Sequence, residues 1–461
     1  MADRPLHVAV IGAGPAGIYA SDILSKSGVD VRIDLYEKLP APYGLVRYGV
    51  APDHPRIKAI IRALYNVLQR GDIRLVGNVE IGRDITFHEL HEHYDAIIIA
   101  TGADKDRPFD IPGANLPEVY GAANFVYWYD GHPDYPRTWS LNAKEVAVLG
   151  VGNVALDIAR ILAKHPEDLM TTEIPENVEK GLRESPITDV HVFGRRGPAQ
   201  VKFTPMELRE LGEVRDVDII VYPEDFDYDE GSEKALEESK MTRQVVEQLT
   251  EWVFQEAEGS ASRRIHIHML QQPAEILGEE HVEGIRMERT ALQGDGSVKG
   301  TGEFIDYPVQ AVYRAVGYFS SEIPGAPYDS QRGVVPNIEG RVTAGVGGEV
   351  VPGMYATGWI KRGPVGLIGS TKSDAQETIR HLVEDYEAGK LSATTDALGW
   401  EETKKVLEER GIRYTTWRGW ELLEQFEMAL GAKQGRARIK VVERETMTAI
   451  SRGEEHDGKL Y

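Results

Sequence analysis

Two glycine-rich runs constrain this chain more than anything else in it. The first, Gly12-Ala13-Gly14-Pro15-Ala16-Gly17, follows the apolar stretch Val8-Ala9-Val10-Ile11. The second, Gly150-Val151-Gly152-Asn153-Val154-Ala155, follows Val146-Ala147-Val148-Leu149. A buried strand running into such glycines and then into a helix forms the turn on which a dinucleotide diphosphate rests. The glycines permit a tight turn and close approach, and the helix N-terminus aims free N–H groups at the phosphates. Each run therefore predicts a βαβ unit with its own nucleotide. The fold class expected is α/β, with two nested doubly wound, Rossmann-like nucleotide-binding domains.

The strands downstream differ in charge. Residues 31–37 form a strand ending at Glu37, and residues 190–193 form one ending in Gly194-Arg195-Arg196. A carboxylate at that position accepts hydrogen bonds from a ribose 2′-hydroxyl and repels a 2′-phosphate, whereas paired guanidinium groups attract it. The first site thus suits FAD and the second NADP(H). Two arginines at a solvated strand end are the plainer alternative. Arg195 lies about 45 residues after Gly150, a long interval, and residues 168–184, polar and containing Pro175, read as an inserted loop.

Further buried-strand patterns at 94–101, 312–317 and 354–358 suggest that one domain interrupts the other. The expected organisation is 1–105 and 325–390 as the two parts of an FAD domain, 106–324 as an inserted NADP domain, and 391–461 as a helical C-terminal extension. Residues 400–410 and 420–430 carry its amphipathic helices.

Composition narrows the chemistry. The 461 residues include no cysteine, which excludes a redox disulfide, an iron–sulfur ligand and a thiolate metal site. The formal net charge is −22, and residues 216–258 hold fourteen acidic side chains against Lys234, Lys240 and Arg243, a solvated acidic face. Nucleic acid is not an expected partner. No apolar run reaches the roughly 18 residues of a membrane span, and the strand-like pattern begins by Leu6, so a cytoplasmic protein without a leader is expected.

A third glycine-rich stretch, 353–378, offers backbone donors to a flavin ring, with Trp359 beside them or simply in the core. The long runs resemble a known family. Pro42-Tyr43-Gly44-Leu45-Val46-Arg47-Tyr48-Gly49-Val50-Ala51-Pro52-Asp53-His54-Pro55 resembles the signature of the adrenodoxin reductase-like ferredoxin–NADP⁺ reductases. So do Gly152-Asn153-Val154-Ala155-Leu156-Asp157, Gly194-Arg195-Arg196-Gly197-Pro198 and Gly358-Trp359-Ile360-Lys361-Arg362-Gly363-Pro364. The resemblance implies that Ala16, Glu37, Leu45, Val79, Trp359, Gly366, Leu367 and Ile368 contact FAD, together with Gly12, Gly14 and Gly17 of the fingerprint. It places Arg107, Gly152, Asn153, Val154, Ala155, Arg195, Arg196, Glu207 and Gly366 on NADP. It also puts His54 beside the flavin and Glu210 with it in modulating turnover, although His54 suits a plain turn and Glu210 a helix surface equally well.

The resemblance implies an FAD enzyme that takes hydride from NADPH and passes single electrons to an acidic ferredoxin, as a monomer or weak homodimer. An NADPH-dependent flavin reductase feeding a quinone is the alternative. A strongly acidic protein needs a local cationic patch to receive an acidic partner, and Lys361-Arg362, with some of Arg195, Arg196, Lys202, Arg209 and Arg215, are expected to form it.

Overall fold

The computed structural model describes residues 4–255, 259–366, 368–391 and 397–461. The chain divides into two compact units. The first comprises Met1–Lys105, Asp130–Asp134 and Tyr318–Tyr461; the second comprises Asp106–Tyr129 and Tyr135–Gly317.

The first unit is built on five parallel strands in the order Val350–Ala356, Ala96–Ile99, Leu6–Ile11, Val31–Tyr36, Ile73–Val76. Two short antiparallel strands, Arg341–Thr343 and Asn337–Ile338, extend one edge. Val8, Ala9 and Val10 are all fully buried, as expected of a strand covered on both faces. Helix Pro15–Ser25, with proline at its first position, packs beside helix Ile368–Glu387.

The second unit carries six parallel strands in the order Val119–Gly121, Ala311–Arg314, Glu145–Leu149, Asp189–Phe193, Arg263–His268, Val217–Val221. A separate antiparallel sheet, Gln271–Leu277, Gly284–Leu292 and Val298–Tyr307, was not anticipated.

Two expectations change. Residues 168–184 are not a plain loop, because helix Glu176–Glu184 occupies half of them and buries Val178 and Leu182, one turn apart. The chain re-enters the first unit at Tyr318 rather than near 325. Just past that point the Phe319 carbonyl accepts the Asp104 N–H at 3.1 Å. The C-terminal helices pack on the first unit, as expected of an extension of it, where Trp420 is fully buried and Thr415 bridges to Gly77. The acidic stretch is largely the exposed face expected, carried by helices Glu230–Glu238 and Lys240–Phe254. Asp225 is its buried exception, paired with Arg289. No helix among the described residues is long and apolar enough to cross a membrane.

His191 and His266 are register partners on adjacent strands, and His268 lies two residues along. Their rings stack, His191 on His266 at 4.3 Å, with His191 Nδ1 3.0 Å from His268 Nε2. Asp189 and the Tyr222 hydroxyl occupy both nitrogens of His266, Tyr307 packs on His191 and His268, and Glu145 lies 3.6 Å from His191. Burial pushes His191 down from 6.5 to about 4 and lowers His266 and His268 as well. Between pH 6.5 and 4 the unfolded chain takes up a proton that the folded His191 refuses. Stability is therefore full above about pH 6.5 and falls as the pH approaches 4, by roughly 3 kcal/mol from this residue alone. Urea unfolding of the second unit should show its midpoint dropping steadily from pH 7 to pH 4.5; a flat profile would contradict this account.

Candidate nucleotide-binding sites

In the first unit the strand order reverses between Leu6–Ile11 and Ala96–Ile99, the place where open parallel sheets hold ligands beyond their C-terminal strand ends. Gly12 sits there at φ +107°, and a Cβ on it would lie 2.5 Å from the Ala100 carbonyl oxygen. Gly14 caps helix Pro15–Ser25 with no side chain on the free N–H groups and no acid in the first turn, which leaves that end ready for an anion. Glu37 follows strand Val31–Tyr36 and is buried. Its carboxylate accepts the Ala13 N–H at 3.0 Å and the Leu39 N–H at 3.1 Å, one on each oxygen, so each oxygen keeps a lone pair for a ribose hydroxyl. Burial holds this carboxyl above the ordinary range, against the pull of those two hydrogen bonds. The Val79 N–H donates to the Glu37 carbonyl, which places Val79 beside it.

The 42–55 run closes over the same turn. The Tyr43 N–H donates to Ala13 O at 2.8 Å, and Gly44 packs on Gly14. Tyr43 holds φ +86°, a strained value for a tyrosine, and strain of this kind persists only where the surroundings over-determine it. Those surroundings come from the C-terminal segment. Trp420 meets Tyr43 edge-on at 5.6 Å and lies 5.1 Å from the Arg47 guanidinium. Glu427 of helix Trp417–Ala432 takes both Arg47 NH groups, at 3.0 and 2.5 Å, with both side chains all but fully buried. Lys440 Nζ donates to the Arg47 carbonyl at 2.6 Å and to Asp130 O at 3.0 Å. Leu45 is half-buried at the start of the short helix Leu45–Tyr48, and His54, 4% exposed, precedes Pro55–Lys58.

The third glycine stretch faces the same turn. A Cβ on Gly358 would lie 2.6 Å from that of Ala16, and Trp359 is half-buried beyond it. Asp374, which the sequence reading missed, shapes this stretch: it accepts the Gly358 N–H at 2.6 Å and the Thr357 hydroxyl at 3.0 Å. It also pairs with Lys361 and Arg362, each at 3.0 Å. Lys361 further binds Glu377 and is 7% exposed. The expected docking role of Lys361-Arg362 is therefore corrected: these charges are neutralised within the fold. Gly366 is exposed at φ +89°; Leu367 lies outside the described residues, and Ile368 begins its helix with its side chain likewise outside them.

The second unit repeats the arrangement. Its strand order reverses between Glu145–Leu149 and Ala311–Arg314, and Gly150, at φ +138°, abuts the Ala315 carbonyl as Gly12 abuts Ala100. Gly152 caps helix Asn153–Ala163, again with no side-chain cap and no first-turn acid. Ala155, where the first turn has Gly17, is fully buried. The Asn153 side-chain oxygen accepts the Thr204 N–H at 2.9 Å, and Val154 is half-buried. Arg195 is exposed and Arg196 half-exposed, and neither guanidinium joins an ion pair among the described residues. Their backbone is fixed: Arg195 O accepts the Thr290 hydroxyl, and Arg196 O accepts the Leu270 N–H. The exposed Arg107 donates its N–H to Gly317 O, beyond strand Ala311–Arg314. Glu207, buried in helix Pro205–Gly212, lies 3.7 Å from Arg160, and Glu210 is half-buried on the same helix.

Space at these turns tests whether a dinucleotide fits. A Cβ on Gly152 meets nothing within 4 Å, and its φ of −108° suits any residue. Gly152→Ala should therefore fold with unchanged thermal stability yet bind NADP⁺ at least tenfold more weakly, because the methyl occupies diphosphate space. Paired melting and titration measurements check this; equal affinity would show that the open space is not used.

The sequence of residues 6–193 matches the family model described as pyridine nucleotide-disulphide oxidoreductase, although this chain has no cysteine with which to form a disulfide. It is 36% identical to the mitochondrial NADPH:adrenodoxin oxidoreductase of Arabidopsis thaliana, over 97% of this chain and 96% of that one. It is 37% identical to the NADPH-ferredoxin reductase FprA of Mycobacterium tuberculosis, over 98% and 100%. The solved structure of Mycobacterium tuberculosis FprA in complex with NADPH superposes with a TM-score of 0.90, covering 98% of this chain and all of that one. Full-length identity at this level, on a fold with two glycine turns of opposite charge, means that the chain belongs to the adrenodoxin reductase-like family of NADPH–ferredoxin reductases.

Proposed function

We infer that this protein is an FAD-dependent oxidoreductase that takes a hydride from NADPH and delivers electrons singly to a ferredoxin-type iron–sulfur protein. The observation that carries the reading is the pair of strand-reversal turns, one beside the buried carboxylate of Glu37 and the other beside Arg195 and Arg196, which join no ion pair among the described residues. Bound FAD supplies the exchange between a two-electron donor and a one-electron acceptor. The chain's own residues orient and select.

Glu37 receives the FAD ribose, and Gly12, Gly14, Gly17, Ala16, Leu45, Val79, Trp359, Gly366, Leu367 and Ile368 surround the rest of the group. Gly152, Asn153, Val154 and Ala155 receive the NADPH diphosphate, Arg195 and Arg196 its 2′-phosphate, and Arg107, Glu207 and Gly366 its remainder. His54 and Glu210 act beside the flavin in setting turnover. The acceptor is an acidic ferredoxin. With Lys361 buried, the exposed Arg209 remains among the cations expected to receive it. A cytoplasmic location and a monomeric or weakly dimeric state complete the proposal; cell fractionation and sedimentation test them.

The deciding experiment follows cytochrome c reduction by the FAD-loaded protein with NADPH, with and without ferredoxin, and with NADH as control. Ferredoxin-dependent reduction that strongly prefers NADPH supports the reading. NADPH oxidation indifferent to ferredoxin overturns it.

A further inference from the structure

Lys202 lies alongside the second glycine turn. Its N–H donates to Val151 O at 2.8 Å, and it forms a parallel bridge with Gly152. Two residues on, the Thr204 N–H is held by the Asn153 side chain, so residues 202–204 run extended beside the glycine turn and the first residue of its helix. Side chains alternate along such a segment. Phe203 is 3% exposed, which turns Lys202 to the open side, and Lys202 is indeed exposed.

Bridge partners direct their Cβ bonds to the same side of the pairing. Lys202 therefore projects to the side on which Gly152 leaves an empty volume, with nothing within 4 Å of its Cβ position. Its ammonium joins no ion pair among the described residues. A lysine arm extends about 6 Å, a span of the order of two extended residues, enough to carry a mobile point charge over the helix N-terminus at Asn153.

We propose that Lys202 is a further dinucleotide-binding residue, neutralising the diphosphate of the nicotinamide cofactor rather than its 2′-phosphate. The proposal rests on the NADPH reading of this turn and deepens it. A flexible ammonium matches a diphosphate, which offers several oxygens without one fixed geometry, whereas the fork of an arginine suits a single terminal phosphate. Lys202, expected from sequence in a protein-docking patch, is thereby assigned to the cofactor.

NAD⁺ and NADP⁺ share the diphosphate, so the test measures dissociation constants of both on the FAD-loaded protein, for wild type, Lys202→Gln and Lys202→Arg. Lys202→Gln should weaken both by the same factor, about five- to tenfold, and Lys202→Arg should restore most of it. Adenosine 2′-monophosphate, which lacks the diphosphate, should bind wild type and Lys202→Gln equally. Weakening of NADP⁺ alone would place the ammonium on the 2′-phosphate and overturn the assignment, as would unchanged affinity for both dinucleotides. A wild-type protein that binds neither dinucleotide would refute the NADPH reading itself, a result distinct from a silent Lys202→Gln.

Discussion

Glu427→Ala should lower the unfolding free energy of the first unit by about 3–5 kcal/mol, the cost of leaving a buried charge without its partner. Arg47 has nowhere to turn: its side chain is 3% exposed, and its neighbours on either side are the rings of Tyr48 and Trp420. Glu427→Gln keeps the shape and an acceptor oxygen but not the charge, so it should fall between. Replacing both partners with apolar residues, Arg47→Met with Glu427→Leu, should recover much of the loss, because the pair contributes little beyond what matched apolar packing supplies. Guanidinium titrations followed by circular dichroism measure all four proteins. A loss below about 1 kcal/mol in Glu427→Ala would mean that water reaches Arg47 and that the clamp is dispensable. Since the clamp underlies the strained Tyr43 turn against Ala13, FAD retention should fall together with stability.

The second large effect concerns nucleotide choice. Replacing Arg195 and Arg196 together with alanine should shrink the NADPH-over-NADH ratio of kcat/KM by about 100-fold. A charge-assisted hydrogen bond contributes about 1.5–3 kcal/mol, but Arg195 is exposed, and solvent screening brings each closer to the tenfold equivalent of 1.4 kcal/mol. The backbone at both positions is tied to Thr290 and Leu270, so the substitution removes side chains without moving the strand end. NADH turnover should stay within a few-fold of wild type, since NADH has no phosphate for these groups to hold. A ratio that does not move would reassign the two arginines to the solvent.

What could be read from the sequence was what is local. Gly12 and Gly150 announce their turns because strand, glycine and helix lie within a dozen residues, and the positive φ each adopts is available mainly to glycine. Glu37 and Arg195 could be placed from position alone, each just past the end of the strand that follows its glycine turn. Lys361 misled: beside Arg362 in a glycine loop it looks solvent-facing, and only the fold brings Asp374 and Glu377 to it from the following helix. Helix Glu176–Glu184 was hidden between prolines, although Val178 and Leu182, four apart, were its signature. The C-terminal helices were legible as amphipathic segments, but not what they hold, because the charge they neutralise stands hundreds of residues earlier. Asp374 was missed for the same reason on a smaller scale: one carboxylate in a polar helix gives no hint that it gathers a backbone N–H, a hydroxyl and two cations.

That long separation has a consequence for how the protein is made. Arg47 and Glu427 are 380 positions apart, and at about 5–20 residues per second a ribosome needs roughly 20–75 s to travel between them. All of the second unit emerges in that interval, so the half encoded in the middle can finish folding before the half encoded first. Until the last helices appear, Arg47 stays hydrated and the loop it anchors has no reason to adopt its strained turn. The loop encoded early is therefore completed only when the last helices arrive, after the unit encoded between them is free to fold.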